Sequence, residues 1–333
     1  MSETSPLVEA QEQFIAAVPF RSTGSEIVSL ADACGRTLYR DIKSPTALPP
    51  YNRAIVEGFL VRTEDTADAS EESKTGFTII GKVNPGDAEC GNPEPGQAIQ
   101  VVTGSLVPDG PYSIVRMWEA DIDNDHFSIS RPFPPRFFIE DKGCDLELDA
   151  TAITAGAIIT PQSIGTIASM GLNEVELSKK PVVTVFASGD ELVPYTDPVT
   201  PGTMRDSNSI MLASAINANG ATAKIAGIMS DDFEQFSSEL GESLSRSDMV
   251  VISGGTAVGG RDFISDLVKG AGQVIVDGVP MRSGRPLIMG VSDNKPIVCV
   301  AGHPPEALRG FNLFGVAAIN KLLGNHKPLP ADD

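Results

Sequence analysis

The order of apolar and polar positions along the chain changes twice. Residues 6–20, PLVEAQEQFIAAVPF, carry apolar side chains at helical spacing, and Pro19 is placed to close the helix. Residues 25–38, SEIVSLADACGRTL, read as a strand and then a short helix ending near Gly35, with Ser29 offered as its N-cap. The extended, proline-marked stretch SPTALPPYNRAIVEGFLVR leads into a charged loop at 63–75. From residue 76 to about 137, short runs (FTIIGKV, QAIQVVTG, SIVRMWEA, HFSIS) alternate with turn residues such as NPGD and VPDG, which predicts an all-β module. Asp141 to Val175 opens with the turn DKGCD and continues through a short helix at PQSIGTIASMGL.

After Lys179-Lys180 the period changes again. VVTVFASG is a continuous apolar run, the pattern of a buried parallel strand. A helix over 207–219, the strand ATAKIAGIM, a helix over 232–245 and the strand DMVVISGG follow. A helix over 262–270, strands at QVIVDGV and PIVCVAG, and a helix over 305–323 complete the series. Alternating β and α elements predict an α/β fold with a mainly parallel sheet covered by helices on both faces.

Composition narrows the function. The chain has 333 residues, of which 41% are hydrophobic and 21% charged, enough to bury a sizeable core. Basic residues number 25 against 44 acidic ones, a net charge of −19. Broad binding to nucleic acid or to an anionic membrane needs a basic face, so neither is expected as a partner. A local basic pocket for a small anion stays compatible with that charge. The four cysteines, Cys34, Cys90, Cys144 and Cys299, are scattered without metal-type spacing and fit a reducing compartment. The N-terminus, MSETSPLVEAQEQF, lacks the basic start and apolar run of a signal peptide, and no uncharged stretch reaches a membrane span of about 20 residues. A cytoplasmic protein is expected.

Parallel sheets bind ligands beyond the carboxyl ends of their strands, and the chemistry of this chain collects there. The first strand of the second half runs into Ser188-Gly189-Asp190-Glu191, and the next helix is preceded by Arg205-Asp206-Ser207-Asn208. The third strand runs into Ser253-Gly254-Gly255 and on through Gly259 to Asp262. The following apolar stretch ends in Met281-Arg282-Ser283-Gly284-Arg285-Pro286, and the last strand in Ala301-Gly302-His303-Pro304. Small residues let backbone N–H groups approach an anion, and a helix N-terminus adds positive dipole. Asp190, Glu191, Asp206 and Asp262 are hard oxygen ligands suited to Mg²⁺. Arg282 and Arg285 offer planar donors to an oxyanion. Each feature also has a plainer reading. Asp206-Ser207-Asn208 can be a helix N-cap, Asp190-Glu191 a solvated turn, Ser253-Gly254-Gly255 an ordinary strand–helix turn, the arginines surface charge and His303 a loop residue. Five such features at successive junctions of one sheet favour a phosphate-bearing ligand.

In this order the boxes resemble the molybdopterin molybdenumtransferases, the molybdenum-insertase family that includes MoeA and the gephyrin E domain. Leu48-Pro49-Pro50-Tyr51-Asn52-Arg53-Ala54-Ile55-Val56-Glu57-Gly58 is similar to the family's LPPFDRAAMDG signature. Thr103-Gly104-Ser105-Leu106-Val107-Pro108-Asp109-Gly110 is similar to its TGAxxPxG box. Ser188 to Leu192, Asp206 to Asn208 and Ser253 to Asp262 resemble its TGDEL, DSN and SGGxSxGxxD boxes. The resemblance implies a three-layer α/β molybdopterin-binding domain at 179–326 and a tail at 327–333. It also implies an N-terminal linking domain, 1–46 with 138–178, carrying an inserted β domain at 47–137.

It further implies binding of adenylylated molybdopterin and molybdate, insertion of the metal into the dithiolene, and Mg²⁺-dependent release of AMP. A homodimer is implied, with a site completed by the partner's N-terminal region, and a molybdenum-enzyme apoprotein or other pathway protein as a further partner. Carried over, Asp190, Asp206 and Asp262 hold the nucleotide or Mg²⁺, and Ser253, Gly254 and Gly255 cradle phosphate. Ser188, Gly189, Ser207, Asn208, Gly259, Pro286 and His303 fall in boxes that line the cofactor. Glu57 takes the place of the acidic residue from the partner and joins Asp262 as a catalytic residue. Arg282 and Arg285 stand where the family has two molybdate-binding lysines.

The departures cluster in these boxes. Asn52 and Glu57 replace aspartates, Cys144 an acid, Ala257 a serine, the two arginines the lysines, and His303 the asparagine of LPGNPVS. Arg for Lys keeps charge but changes donor geometry. The family's C-terminal small β domain is expected to be absent. Two readings follow: a shortened molybdenum insertase, or a non-catalytic paralogue that binds a pterin nucleotide or a partner protein. The arginines also allow a related oxyanion such as tungstate.

Overall fold

The computed structural model describes residues 5–20, 22–229, 232–254, 263–279 and 287–331. The chain divides into two compact units. Unit 1 is Met1–Asp41 with Thr154–Gly165 and Leu172–Asp333; unit 2 is Ile42–Ile153 with Thr166–Gly171.

In unit 1 we label the elements of the α/β layer α1 (Pro6–Ala17), β1 (Val182–Ser188), α2 (Asn208–Ala218), β2 (Thr222–Met229), α3 (Phe233–Arg246) and β3 (Met249–Gly254). They continue as α4 (Phe263–Ala271), β4 (Gln273–Asp277), β5 (Ile288–Ser292), β6 (Lys295–Val300), α5 (Pro304–Gly310) and α6 (Val316–Leu323). The six strands form one sheet in the order β2-β1-β3-β6-β5-β4. β2, β1, β3 and β6 run parallel, whereas β5 is antiparallel to both its neighbours. Every residue of β3 is buried, because apolar side chains leave both faces of the sheet for two separate cores. That two-sided burial is why β1 and β3 read as continuous apolar runs rather than alternating ones.

One core holds Val183, Val185, Met249 and Val251 with α2, α6 and α1. The other holds Phe186, Val250 and Ile252 with α3 and α4. The first helix packs against the turn that leads into the last: Phe14 meets Phe314, just before α6, at 6.3 Å between ring centroids. The buried Gln11 side chain donates to the carbonyls of Leu313 and Pro330, both at 2.9 Å.

Three local details differ from the sequence reading. β5 is a strand that the pattern did not announce; it is tied to β6 by the turn Asp293-Asn294, both residues at positive φ (46° and 63°). Such φ values at both central positions fit a two-residue hairpin turn, which Asp and Asn tolerate because their short polar side chains can bond locally. The helix expected over 305–323 is interrupted by a π-helical turn at Phe311–Gly315. Ser29 makes no side-chain cap, and only a 3₁₀ turn, Leu30–Asp32, follows it. The strand Ser25–Ser29 is instead held by antiparallel pairing with Glu174–Ser178.

Unit 2 holds a second six-stranded sheet. Its spatial order is Tyr112–Arg116, Gly58–Arg62, Gln97–Val101, Thr75–Val83, His126–Ile129 and Asp121–Asp123. Phe59, Phe127 and Phe77 stack through its core at 4.3 and 5.2 Å. Gly58 has no room for a side chain, since a Cβ there would lie 2.1 Å from the Val115 carbonyl oxygen. Glu119 is gripped by two guanidinium groups: Arg116 Nε donates at 2.7 Å and Arg131 Nε at 3.2 Å. The Arg116 hydrogen bond, with help from Arg131, lowers its carboxyl pKa to about 2. A depressed carboxylate pKa adds stability that is complete above the unfolded value and fades as pH falls through the folded one. We therefore expect Glu119→Gln to cost unit 2 about 2–3 kcal/mol at pH 7. The difference from wild type should shrink between pH 5 and 2, read by denaturant melts across that range.

Candidate functional site

The site is built where the parallel strands of unit 1 end. Ser188 at the end of β1 pairs with Gly254 at the end of β3, and Ser253 pairs with Val300 of β6. Gly254 has φ +104°, and a Cβ on it would lie 2.3 Å from the Ser188 carbonyl oxygen. Only glycine lets the chain turn here while the two strands stay in register. Gly302 lies close as well, its own Cβ position 3.4 Å from the Gly254 Cα.

Asn208, the first residue of α2, ties this rim together. Its buried amide nitrogen donates to Ser253 Oγ and to the Gly302 carbonyl, both at 2.7 Å. Ser253 Oγ in turn donates to the Ala301 carbonyl at 3.2 Å. One side chain thus fixes the N-terminus of α2 against the ends of β3 and β6. The helix is capped from one residue earlier than its N-cap position: Ser207 makes no side-chain cap, while Asp206 Oδ1 accepts the Ser209 N–H at 3.0 Å. Asp206 is only 6% exposed. Its own N–H donates to the Val193 carbonyl at 2.9 Å, which anchors the 189–206 loop. A short parallel ladder, Leu192–Val193 with Met204–Arg205, stiffens the same loop.

Two cavities open on this rim, with Asp206 and Leu192 on the wall of both. The polar one, of about 430 Å³, is lined by Ser188, Glu191, Asp206, Ser207, Asn208, Ser253, Gly254 and His303 among others. The larger, of about 600 Å³, has Leu192, Pro194, Tyr195, Ile225, Ile228 and Met229 on its wall with Gly189, Asp190 and Ser209. Among the described residues, two buried polar atoms, Asn208 Oδ1 and Ser209 Oγ, have no hydrogen-bond partner. Buried polar atoms are normally satisfied, so these two stand out on the rim.

Of the sequence candidates, Ser188, Ser207, Asn208, Ser253, Gly254 and His303 meet on the polar cavity. Gly189 and Asp190 lie on the apolar one, and Asp206 on both. Gly255, Gly259, Asp262, Arg282, Arg285 and Pro286 lie outside the described residues. Glu57 is an exposed residue of unit 2. His303 is the N-cap residue of α5, and its Nδ1 pairs with Glu306. Among the described residues no three His, Cys, Asp or Glu side chains come together as a metal site. Glu191 and Asp206 nevertheless share the polar cavity. Two carboxylates with room for phosphate oxygens suit Mg²⁺, which binds through one or two carboxylates and the substrate itself. Sequence reasoning missed Ser209, a buried hydroxyl in the first turn of α2 that no spacing or motif announces.

Residues 5–171 match the family described as MoeA N-terminal region (domain I and II), and residues 184–321 match the probable molybdopterin binding domain. A molybdopterin molybdenumtransferase from Bacillus subtilis is 31% identical over 310 residues, which cover 91% of this chain and 72% of that protein. The chain belongs to the molybdopterin molybdenumtransferase family. That family is one of transferases in molybdenum cofactor biosynthesis. Molybdopterin molybdenumtransferase 2 of Mycobacterium tuberculosis is 30% identical over 311 residues, 91% of this chain and 76% of its own. Two crystal structures of the molybdopterin biosynthesis MoeA protein from Pyrococcus horikoshii superpose with TM-scores of 0.79 and 0.82. They are 30% and 26% identical, covering 97% of this chain and 81% and 80% of theirs. Both cavities fall within the family's molybdopterin-binding region. No helix among the described residues is long and apolar enough to cross a membrane.

The double position of Asp206 yields a test that separates capping from ligand binding. Asp206→Ala should destabilise unit 1 by about 0.5–2 kcal/mol through the lost cap. Asp206→Asn keeps an acceptor for the Ser209 N–H and should melt within about 0.5 kcal/mol of wild type. If the carboxylate serves only the helix, nucleotide binding measured by titration calorimetry should survive in the Asn variant.

Proposed function

We propose that this protein inserts molybdate into adenylylated molybdopterin in an Mg²⁺-dependent reaction that releases AMP. The observation that carries the reading is the polar cavity at the carboxyl ends of β1, β3 and β6, where a helix N-terminus, a glycine turn and two carboxylates converge. A helix N-terminus and small residues suit a phosphate group. Held at these carboxylates, Mg²⁺ would supply neutralisation of the charge that develops on the phosphates as the bond breaks. Asp206 and Glu191 are the residues of this cavity that would hold it, joined in this proposal by Asp262, while Asp190, the other candidate for the ion, lines the adjoining cavity. Asn208 keeps the ends of β3 and β6 at a fixed spacing, and Ser253 and Gly254, with Gly255, cradle the phosphate.

The proposal includes a homodimer in which Glu57 of one subunit completes the site of the other. It also includes Arg282 and Arg285 as the grip on molybdate or a similar oxyanion, and a cytoplasmic location. The division into a linking domain (1–46 and 138–178), an inserted β domain (47–137) and the α/β domain (179–326) belongs to the same reading. The deciding experiment incubates the purified protein with adenylylated molybdopterin, molybdate and Mg²⁺ and follows AMP and the pterin product. Release of AMP that requires both molybdate and Mg²⁺ is the expected result. Retention of the pterin nucleotide with no AMP would replace the reading by that of a binding paralogue.

A further inference from the structure

His303 does no chemistry in the reading above, yet it stands on the wall of the polar cavity with Ser253, Gly254 and Gly302. It follows β6 and is the N-cap residue of α5, with extended backbone (φ −76°, ψ 125°). Pro304 and Pro305 come next, and the fixed φ of proline stiffens the turn that carries the ring. The ring makes no cap bond to the helix N–H groups; its Nδ1 pairs instead with the Glu306 carboxylate, one turn along the helix. An ionised carboxylate only accepts, so Nδ1 carries the proton and donates it to Glu306. The partner thereby assigns the tautomer: Nε2 holds the lone pair and is the nitrogen that can take up a proton. The other charged groups on this wall are Glu191, Arg205 and Asp206. An arginine stays protonated, and the two carboxylates are the groups proposed to hold the metal ion. Among the described wall residues, that leaves the imidazole as the group suited to accept a proton at neutral pH. The family box has asparagine at this position, and a side-chain amide cannot do so.

We propose that His303 is the catalytic base of the anhydride-cleaving step, with Glu306 as the positioning residue that fixes its tautomer. The proposal rests on the reading above, in which the substrate's phosphates occupy the polar cavity. In this step the oxygen of a water molecule forms a bond to one phosphorus of the anhydride. The bond from that phosphorus to the bridging oxygen breaks, and the bridging oxygen leaves with the electron pair as part of the other phosphate. Nε2 takes one proton of the attacking water, and the second ionises from the new phosphate. The products are two phosphate monoesters, one of them AMP, with no change of oxidation state. The His303 side chain is 73% exposed and that of Glu306 26%. A ring so placed is reached by water and returns its proton to solvent, while the less exposed carboxylate holds its orientation. The arrangement is a base oriented by an acid, which other hydrolytic sites build from the same two groups.

Two measurements on the full chain test this. The first is single-turnover AMP release with saturating adenylylated molybdopterin, molybdate and Mg²⁺, for wild type, His303→Asn, His303→Ala and Glu306→Ala. Loss of a general base should slow both His303 variants about a hundred-fold or more, with substrate affinity and melting temperature close to wild type. Glu306→Ala should show an intermediate loss. Added imidazole should restore part of the rate to His303→Ala in a concentration-dependent way and leave wild type unchanged. The second measurement is the nitrogen NMR of the histidine rings. The chain has three histidines, so the His303 signals are assigned by their loss in His303→Asn. At pH 8 the ring should carry its proton on Nδ1, and Glu306→Ala should shift the tautomer balance. Mg²⁺-pyrophosphate, as a probe without pterin or nucleoside, should move the Nε2 signal.

Slow His303 variants with imidazole rescue and an Nε2 signal that responds to pyrophosphate support the proposal. If wild type releases AMP and both His303 variants release it as fast, the base is overturned while the insertase reading stands. If wild type releases no AMP, the insertase reading fails and the proposal falls with it. A wild-type ring protonated on Nε2 alone, or an Nε2 signal that pyrophosphate leaves unmoved, overturns the base even where the variants are slow. A marked fall in the melting temperature of both His303 variants, with no rescue by imidazole, makes the ring structural and overturns it too.

Discussion

Gly254→Ala is expected to be among the most damaging single-methyl changes in this protein. The added carbon would meet the Ser188 carbonyl oxygen at 2.3 Å, and φ at this residue is +104°. Backbone strain of that kind costs about 1–3 kcal/mol. Forcing an extra carbon into a packed position costs a further 1–3 kcal/mol or so. The neighbour it strikes is main chain in the middle of the sheet, which has no rotamer to escape into. We expect a loss of roughly 3–5 kcal/mol, a fall in melting temperature on the order of 10 °C, and no measurable AMP release. A matched control is Gly241→Ala, inside α3 with nothing within 4 Å of the new carbon. Alanine there should stabilise by about 0.5–1 kcal/mol, because glycine is the poorer helix residue. Similar melting temperatures for the two variants would refute the role given to Gly254.

Asn208→Ala should produce the second large effect, of a different kind. The wild-type amide makes two buried hydrogen bonds of 2.7 Å, to Ser253 and Gly302. Without them the Gly302 carbonyl and the Ser253 hydroxyl lose a donor in a buried place, at about 1–3 kcal/mol. Ser253 keeps its bond to the Ala301 carbonyl, so the fold should survive. The ends of β3 and β6 would no longer be held to α2, and misplacement of a substrate-positioning group by even 1 Å can cost about a hundred-fold in rate. We expect a folded protein whose turnover falls about a hundred-fold or more, with a melting temperature lowered by several degrees. Asn208→Asp adds a diagnostic, since a carboxylate at neutral pH cannot donate to either partner. It should be at least as inactive as the alanine variant at pH 8.

The strong periodic segments of unit 1 were legible for physical reasons. β1 and β3 lie in the middle of a sheet covered on both faces, so nearly every residue had to be apolar. β5 was harder to see. Residues 288–292, IMGVS, come just after a glycine- and arginine-rich stretch, and five residues are too few for an alternation to register. The Asp293-Asn294 dipeptide was the overlooked signal, because two residues suited to positive φ between apolar runs mark a hairpin. The Ser29 cap failed because strand pairing with Glu174–Ser178 set that segment, and propensity yields to tertiary pairing. At the site, the plain and functional readings of Asp206 do not exclude each other: one carboxylate oxygen caps α2, and the residue lines both cavities. No spacing rule separates Asp190 from Glu191, yet they lie on different cavities. That depends on the turn at Gly189, where Leu192 N–H bonds back to the Gly189 carbonyl. Ser209 was invisible because only a three-dimensional count of partners reveals an unsatisfied hydroxyl.

The packing of α1 against the far end of the chain has a consequence for how the protein is made. Residues 6–17 leave the ribosome about 300 residues ahead of their partners, yet Phe14 needs Phe314, and Gln11 needs the carbonyls of Leu313 and Pro330. Unit 2 is nearly continuous in sequence, Ile42–Ile153 with a short return at Thr166–Gly171, so its own sheet can close while synthesis continues. Domains generally fold as units during synthesis, at about 5–20 residues per second. The amphipathic first helix must therefore wait, apolar face exposed, for roughly 15–60 s until its partners emerge. During that interval α1 is the segment that a nascent-chain chaperone would meet.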